Sequence, residues 1–273
     1  MENDRKIAVL IDADNVSPKY IKYIIDELAN HGTPTYKRIY GDWTKPQLGN
    51  WKEVLLEYSI TPIQQYSYTF GKNATDSALI IDAMDILYSK SVNGFCIVSS
   101  DSDFTRLAAR LREAGMYVIG MGEKKTPKSF ISACEKFKYL EALSSAQALA
   151  VDSQTQESER EADRISEKPL IKAGDDLKEL TQSIRNIIME ISDEDGWVFM
   201  GDLGNMLNKR RPDFDTRNYG FAKLTPLVES LNAFEIDSRR TSNPHIVHKF
   251  VRIKKAASKK QANSSKKQNK KPS

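Results

Sequence analysis

Cys96-Ile97-Val98-Ser99-Ser100-Asp101-Ser102-Asp103-Phe104 is the stretch that decides the fold. The apolar run from Phe95 to Val98 reads as a short buried strand. Two serines and two aspartates follow, and Phe104, Leu107, Ala108 and Leu111 then recur at helical spacing. A strand that ends in carboxylates where a helix begins is the site geometry of a parallel α/β sheet, whose ligands lie at the carboxyl ends of the strands. Two acids this close repel unless a cation lies between them, and a divalent metal meets that need. The plain alternative is that Ser102 or Asp103 only caps the helix, a position both residue types favour. This stretch alone leaves both open.

The same arrangement recurs upstream. Residues 6–14 hold a five-residue apolar run that ends in Asp12 and Asp14. Such a run reads as a strand buried on both faces. Pro18 suits the first turn of a helix that carries Ile21, Ile24, Ile25 and Leu28 and stops near Asn30-His31-Gly32. Strands are expected at Thr35–Tyr40 and Ile60–Tyr66, separated by a helix with Trp51, Val54, Leu55 and Tyr58. After the polar loop Ser67–Asn73, residues 74–89 are apolar nearly all round and predict a well-buried helix, with Thr75 as its N-cap and Asp76 in its first turn. Asp82 on such a helix needs a partner, and a structural role outweighs a catalytic one there. Strands at Gly94–Val98 and Met116–Met121, helices from about Ser102 to Ala114 and from Thr126-Pro127 to Cys134, and a short strand near Phe137–Leu140 complete the pattern. Strands alternating with helices imply a parallel sheet with helices on both faces. Acids then gather at Asp12, Asp76, Asp101 and Asp103, which raises the metal reading above a cap at each position.

Composition changes between 144 and 176, where polar and charged residues dominate, and a linker is expected. From 177 the helical period returns through Leu180, Ile184, Ile187, Ile188 and Ile191. A short strand at Trp197–Met200 follows, then a helix with Leu203, Met206 and Leu207 and a third helix over Tyr219–Leu231. A closing hairpin of Phe234–Ile236 and His245–Ile253 turns at Asn243-Pro244. Three helices and a hairpin fit a small winged-helix-like α+β domain over 177–253. Residues 254–273 contain eight lysines and no acid; subtracting them from the net charge of +4 leaves residues 1–253 at −4. A basic tail attracts polyanions, of which nucleic acid is the commonest, or it serves as a solubilising end. No window approaches a membrane span, and the polar start from Met1 to Lys6 has no signal-peptide pattern. Cys96 and Cys134 sit among apolar neighbours without metal-ligand spacing. Buried free thiols in a reducing, cytoplasmic setting are expected, with no zinc cluster.

Laid side by side, Leu10-Ile11-Asp12-Ala13-Asp14-Asn15, Gly71-Lys72-Asn73-Ala74-Thr75-Asp76 and Ser99-Ser100-Asp101-Ser102-Asp103-Phe104 resemble an NYN domain of the PIN-like nuclease fold, closest to its LabA-like branch, over residues 1–143. Asp202-Leu203-Gly204, Asp213-Phe214-Asp215 and Tyr219-Gly220-Phe221-Ala222-Lys223-Leu224 resemble an OST-HTH (LOTUS) domain. The resemblance implies a metal-dependent ribonuclease that uses Mg2+ or Mn2+. Asp12, Asp76, Asp101 and Asp103 would serve as metal ligands and catalytic acids. Asp12 and Asp101 are expected as direct ligands. Asn15, Lys72, Ser99 and Ser100 are the expected substrate contacts, and Asn15 also suits holding a metal-bound carboxylate. Ser100 stands where a glycine is common in the family, which narrows the approach of a phosphate. The implied partner is RNA, with a homodimer or a protein partner through the OST-HTH half.

Two rivals belong to other classes. One is a non-catalytic RNA-binding or protein-interaction adaptor; four mutually repelling acids count against it. The other is a phosphatase-like hydrolase built on Asp12 and Asp14, which the missing cap insertion disfavours. Trp43, Tyr66, Tyr68 and Phe70 fit core packing better than base stacking, and Lys209-Arg210-Arg211 fits a solvated turn as well as an RNA contact. Removing residues 254–273 is expected to weaken RNA binding and flatten its dependence on salt, which binding titrations across a salt series would check.

Overall fold

The computed structural model describes residues 5–66, 74–145, 175–240 and 247–254. Lys72, Tyr68 and Phe70, the Asn243-Pro244 turn, most of the expected linker and the lysine-rich tail lie outside the described residues.

The first half builds six strands: β1 (Lys6–Asp12), β2 (Thr33–Gly41), β3 (Thr61–Gln64), β4 (Gly94–Val98), β5 (Tyr117–Gly122) and β6 (Lys136–Tyr139). All pair in parallel, in the order β3-β2-β1-β4-β5-β6. The chain thus runs outward from β1 in one direction and, from β4, in the other. The crevice at the carboxyl ends of β1 and β4 is the switch point where such sheets bind ligands. Helices α1 (Ile21–Leu28) and α2 (Trp51–Glu57) cover one face with Ile7, Val9 and Ile11 of β1. Helices α3 (Ala74–Ser89), α4 (Thr105–Glu113) and α5 (Lys128–Ala133) cover the other with Ala8 and Leu10. Both cysteines are buried free thiols. No helix among the described residues is long and apolar enough to cross a membrane.

The second half packs α6 (Asp175–Ile191), α7 (Met200–Arg210) and α8 (Leu224–Ser230) against a three-stranded antiparallel sheet of β7 (Val198–Phe199), β9 (Val247–Ile253) and β8 (Phe234–Arg240). Its core joins Leu180, Ile184, Ile187, Leu203, Leu227 and Val251. The expected helix over Tyr219–Leu231 is corrected here. A 3-10 turn covers Thr216–Tyr219 and α8 starts only at Leu224. Gly220, at φ 81°, ends the turn in the left-handed conformation that glycine adopts without a Cβ penalty. Thr75 is likewise inside α3 rather than capping it. Arg210 and Arg211 of the basic turn pair with Glu190 and Glu179 of α6.

The two halves meet along β6. The Phe137 N–H donates to the Pro212 carbonyl (2.8 Å), and the Tyr139 hydroxyl to Asp213 (3.1 Å). Beneath these contacts lies an ionic cluster. Arg217 donates to both oxygens of Glu27 at 3.0 and 3.1 Å and to Asp215 Oδ2 at 2.7 Å. Lys138 Nζ lies 2.6 Å from Asp215 and 3.4 Å from Glu27. Glu27 is 6% exposed. Burial alone would raise its carboxyl, but the His31 imidazole, the Arg217 guanidinium and the charge of Lys138 outweigh that and hold it at about 2.

Arg217→Ala leaves two buried carboxylates with one close cation, and breaking a buried pair costs about 3 kcal/mol. The expected result is a lower Tm and faster amide exchange around residues 212–219. A carboxyl held below its ordinary 4.5 supports docking above that pH. The support is lost as pH falls toward about 2. In a pH series of unfolding curves, the acid limb of Arg217→Ala should be shallower than that of the wild type.

Candidate active site

Strand parity explains why the acids converge. Ala8 and Leu10 face α3 and α4, so Asp12, two residues further, faces the same way. On the neighbouring strand, Phe95 and Ile97 share that face and Ser99 continues it. Because Ile11 pairs with Val98, Asp12 and Ser99 become neighbours one step beyond the ladder. The Ser99 hydroxyl donates to Asp12 Oδ2 at 2.8 Å. The Asn15 amide donates to the same oxygen at 2.7 Å, and the Asp14 N–H to Asp12 Oδ1 at 3.0 Å. Asp12 is fully buried. That burial raises its carboxyl, and hydrogen bonds from Ser99, Asn15 and the Asp14 backbone oppose the rise.

Ser99 also accepts from the Asp101 N–H at 3.1 Å, so one hydroxyl ties the β4 turn to β1. Asp101 in turn caps the following 3-10 turn and accepts from the Asp103 N–H at 2.9 Å. The cap is therefore Asp101, not Ser102 or Asp103. Gly122 permits this packing, since a Cβ there would lie 2.5 Å from the Ser99 carbonyl and 2.6 Å from Thr126 Oγ1.

Asp76, Asp101 and Asp103 each bring a carboxylate oxygen within 4.8 Å of the other two. Burial decreases from Asp76 through Asp101 to Asp103, which is exposed. Desolvation, then the charges of Asp12, Asp101, Asp103 and Asp14, push the Asp76 carboxyl up to about 6. Donors that are all carboxylate oxygens suit a hard divalent cation. Asp12 is outside this group of three; its oxygens are engaged from below. Asp14 accepts from Thr75 Oγ1 at 3.4 Å and lies 3.4 Å from Lys45.

The two serines expected to contact substrate are both buried. Ser99 is fully buried and Ser100 is 7% exposed, so neither hydroxyl faces solvent. Ser99 holds Asp12, and Ser100 Oγ accepts from the Glu123 N–H at 2.8 Å. Asn15 likewise holds Asp12. Asp82 pairs with Arg38 and accepts from the Tyr40 hydroxyl. The period-two spacing of Arg38 and Tyr40 on β2 was the signal for those partners, and only the packing of α3 over β2 identifies it. Thr75, read as a cap, instead bridges α3 to Asp14.

An acid raised by burial and like charges costs stability where it is ionised. The Asp76 carboxyl, at about 6 in the fold against an ordinary 3.8, carries that cost above about 6 and sheds it below 3.8. Asp76→Asn is therefore expected to raise the Tm of the metal-free protein at pH 8, with no gain at pH 3.5. Thermal melts in EDTA at the two pH values check it.

In comparisons with known proteins, residues 6–141 match the NYN domain and residues 175–246 match the OST-HTH/LOTUS domain. No curated protein matches the chain. Among solved structures, a protein of unknown function from Vibrio parahaemolyticus is 18% identical with a TM-score of 0.42, covering 50% of this chain and 93% of that one. An uncharacterized protein from Nitrosomonas europaea is 27% identical with a TM-score of 0.30, covering 37% of this chain and 92% of that one. With the two matches in this order on a six-stranded parallel sheet and a small α+β unit, the chain carries an NYN domain followed by an OST-HTH/LOTUS domain.

Proposed function

We propose that this protein is a metal-dependent ribonuclease whose NYN domain hydrolyses RNA phosphodiester bonds and whose OST-HTH domain binds the RNA. The observation that carries the proposal is the approach of Asp76, Asp101 and Asp103 to within 4.8 Å at the switch point of the sheet. These three residues would hold the Mg2+ or Mn2+. When bound, such an ion supplies a water made nucleophilic near neutral pH and charge stabilisation for the phosphoryl oxygens. Asp12 acts underneath: with Ser99 and Asn15 it fixes the turn that carries Asp101. Asp103, the most exposed of the three, is the carboxylate best placed to orient an attacking water. The scissile phosphate would approach from the open side, past Asp103 and the Lys45–Asp14 pair. No histidine is needed in this scheme, since carboxylates perform the proton handling.

The test is cleavage of end-labelled single-stranded and structured RNA with Mn2+, Mg2+ or EDTA, alongside Mn2+ binding by calorimetry. Wild type should cut only with metal, and Asp101→Asn should lose at least about a hundredfold in rate and bind Mn2+ more weakly. Tight RNA binding by wild type without cutting in either metal would favour the adaptor. Equal cutting by both proteins would remove the site from these aspartates.

A further inference from the structure

The outer face of the small antiparallel sheet carries a chemistry that the cleavage scheme does not use. Side chains alternate along each strand. Val198, Val251 and Phe234 enter the core, so Trp197, Phe199, His248, Phe250, Arg239 and Arg252 project from the opposite face. The rings lie close together: Phe199 is 5.1 Å from His248 and 5.8 Å from Phe250, centroid to centroid. The guanidinium of Arg252 lies 4.4 Å from the Trp197 ring centroid, and that of Arg239 lies 4.4 Å from Phe250 and 5.1 Å from Trp197. Both arginines are held in place by acids, Arg239 by Asp237 at 3.0 Å and Arg252 by Glu235 at 2.8 Å. His248 and Arg239 are exposed, and Trp197, Phe199, Phe250 and Arg252 are half-buried.

We propose that this face is a stacking platform for the unpaired bases of single-stranded RNA. Bases stack on aromatic rings and on guanidinium planes alike, and this face alternates the two. A purely apolar protein partner would have to bury two arginines and two carboxylates together, which is costly. A duplex would offer no free base faces. The two acids neutralise the arginines, so the platform supplies stacking and little net charge. Phosphate attraction would come from the lysines that follow in sequence, Lys254 directly after β9 being the first of eight over residues 254–273. Stacking and charge therefore reside in separate parts of the chain and are separable by experiment. The inference rests on RNA being the ligand, as in the proposed function, but not on cleavage.

The experiment is fluorescence anisotropy of a labelled, unstructured RNA oligonucleotide with the full chain in EDTA, in a salt series, beside the same strand annealed to its complement. Trp197→Ala and Phe250→Ala should each weaken single-strand binding about tenfold. The salt slope and duplex binding should stay unchanged, and Phe250→Tyr should restore affinity. Photo-crosslinking of the wild type with 4-thiouridine RNA supplies a readout that needs no variant, with crosslinks expected in residues 197–199 and 248–252. Variants with wild-type Tm and wild-type affinity, or crosslinks that avoid both segments, overturn the platform. If the wild type still cuts RNA with Mn2+, the nuclease reading survives that result. A wild type that binds no RNA overturns both.

Discussion

A carboxylate with no exposed surface is costly unless donors surround it, and Asp12 at the end of the central strand sets that requirement. Three donors meet it: the Asn15 amide, the Ser99 hydroxyl and the Asp14 N–H. One belongs to the adjacent strand, so satisfying Asp12 locks the loops after β1 and β4 together. Ser99 passes the constraint on, because it also accepts the N–H of Asp101. The placement of Asp101, and through it Asp103, is thus tied to a buried carboxylate, and Asp12's charge also helps to raise Asp76. A site held this way is preorganised by hydrogen bonds rather than assembled by its ligand.

Charge does a different job at the far edge of the sheet. An open β6 would expose unpaired backbone groups. Pro212 accepts from Phe137 there, and Glu27, Lys138, Asp215 and Arg217 interlock behind it. Two acids against two cations leave the cluster neutral and able to persist with little water around it. The Asp-Phe-Asp segment thereby gains a physical role, since Asp213 and Asp215 both reach across to β6.

Much of this was legible beforehand. Apolar runs and helical spacing located the six strands and the helix over 74–89, but that helix is buried along one stripe (Thr75, Leu79, Ala83, Ile86, Leu87) and not all round as its apolar surface led one to expect: Ile81 is 63% and Tyr88 69% exposed. The acids of the candidate site stood out because each followed a strand or opened a helix. The roles of the serines did not. Ser99 and Ser100 sit in a polar turn that looks solvent-facing in one dimension, yet both are buried, because β5 and the turn after it close over them through Gly122 and Glu123. The single helix expected over Tyr219–Leu231 failed for a local reason: its apolar period continues across Gly220, but the backbone there is left-handed.

By itself the sequence determined where most strands and helices lie and that carboxylates sit where strands end, because these depend on the local periods of two and 3.6. The tertiary structure alone decided that β1 lies beside β4, that Asp12 is therefore the buried support while Asp76, Asp101 and Asp103 form the open cluster, and that Glu27 finds Arg217 across the chain. Strand order is a property of how layers pack. Residues 87 or 190 positions apart acquire their chemistry only once that packing has made them neighbours.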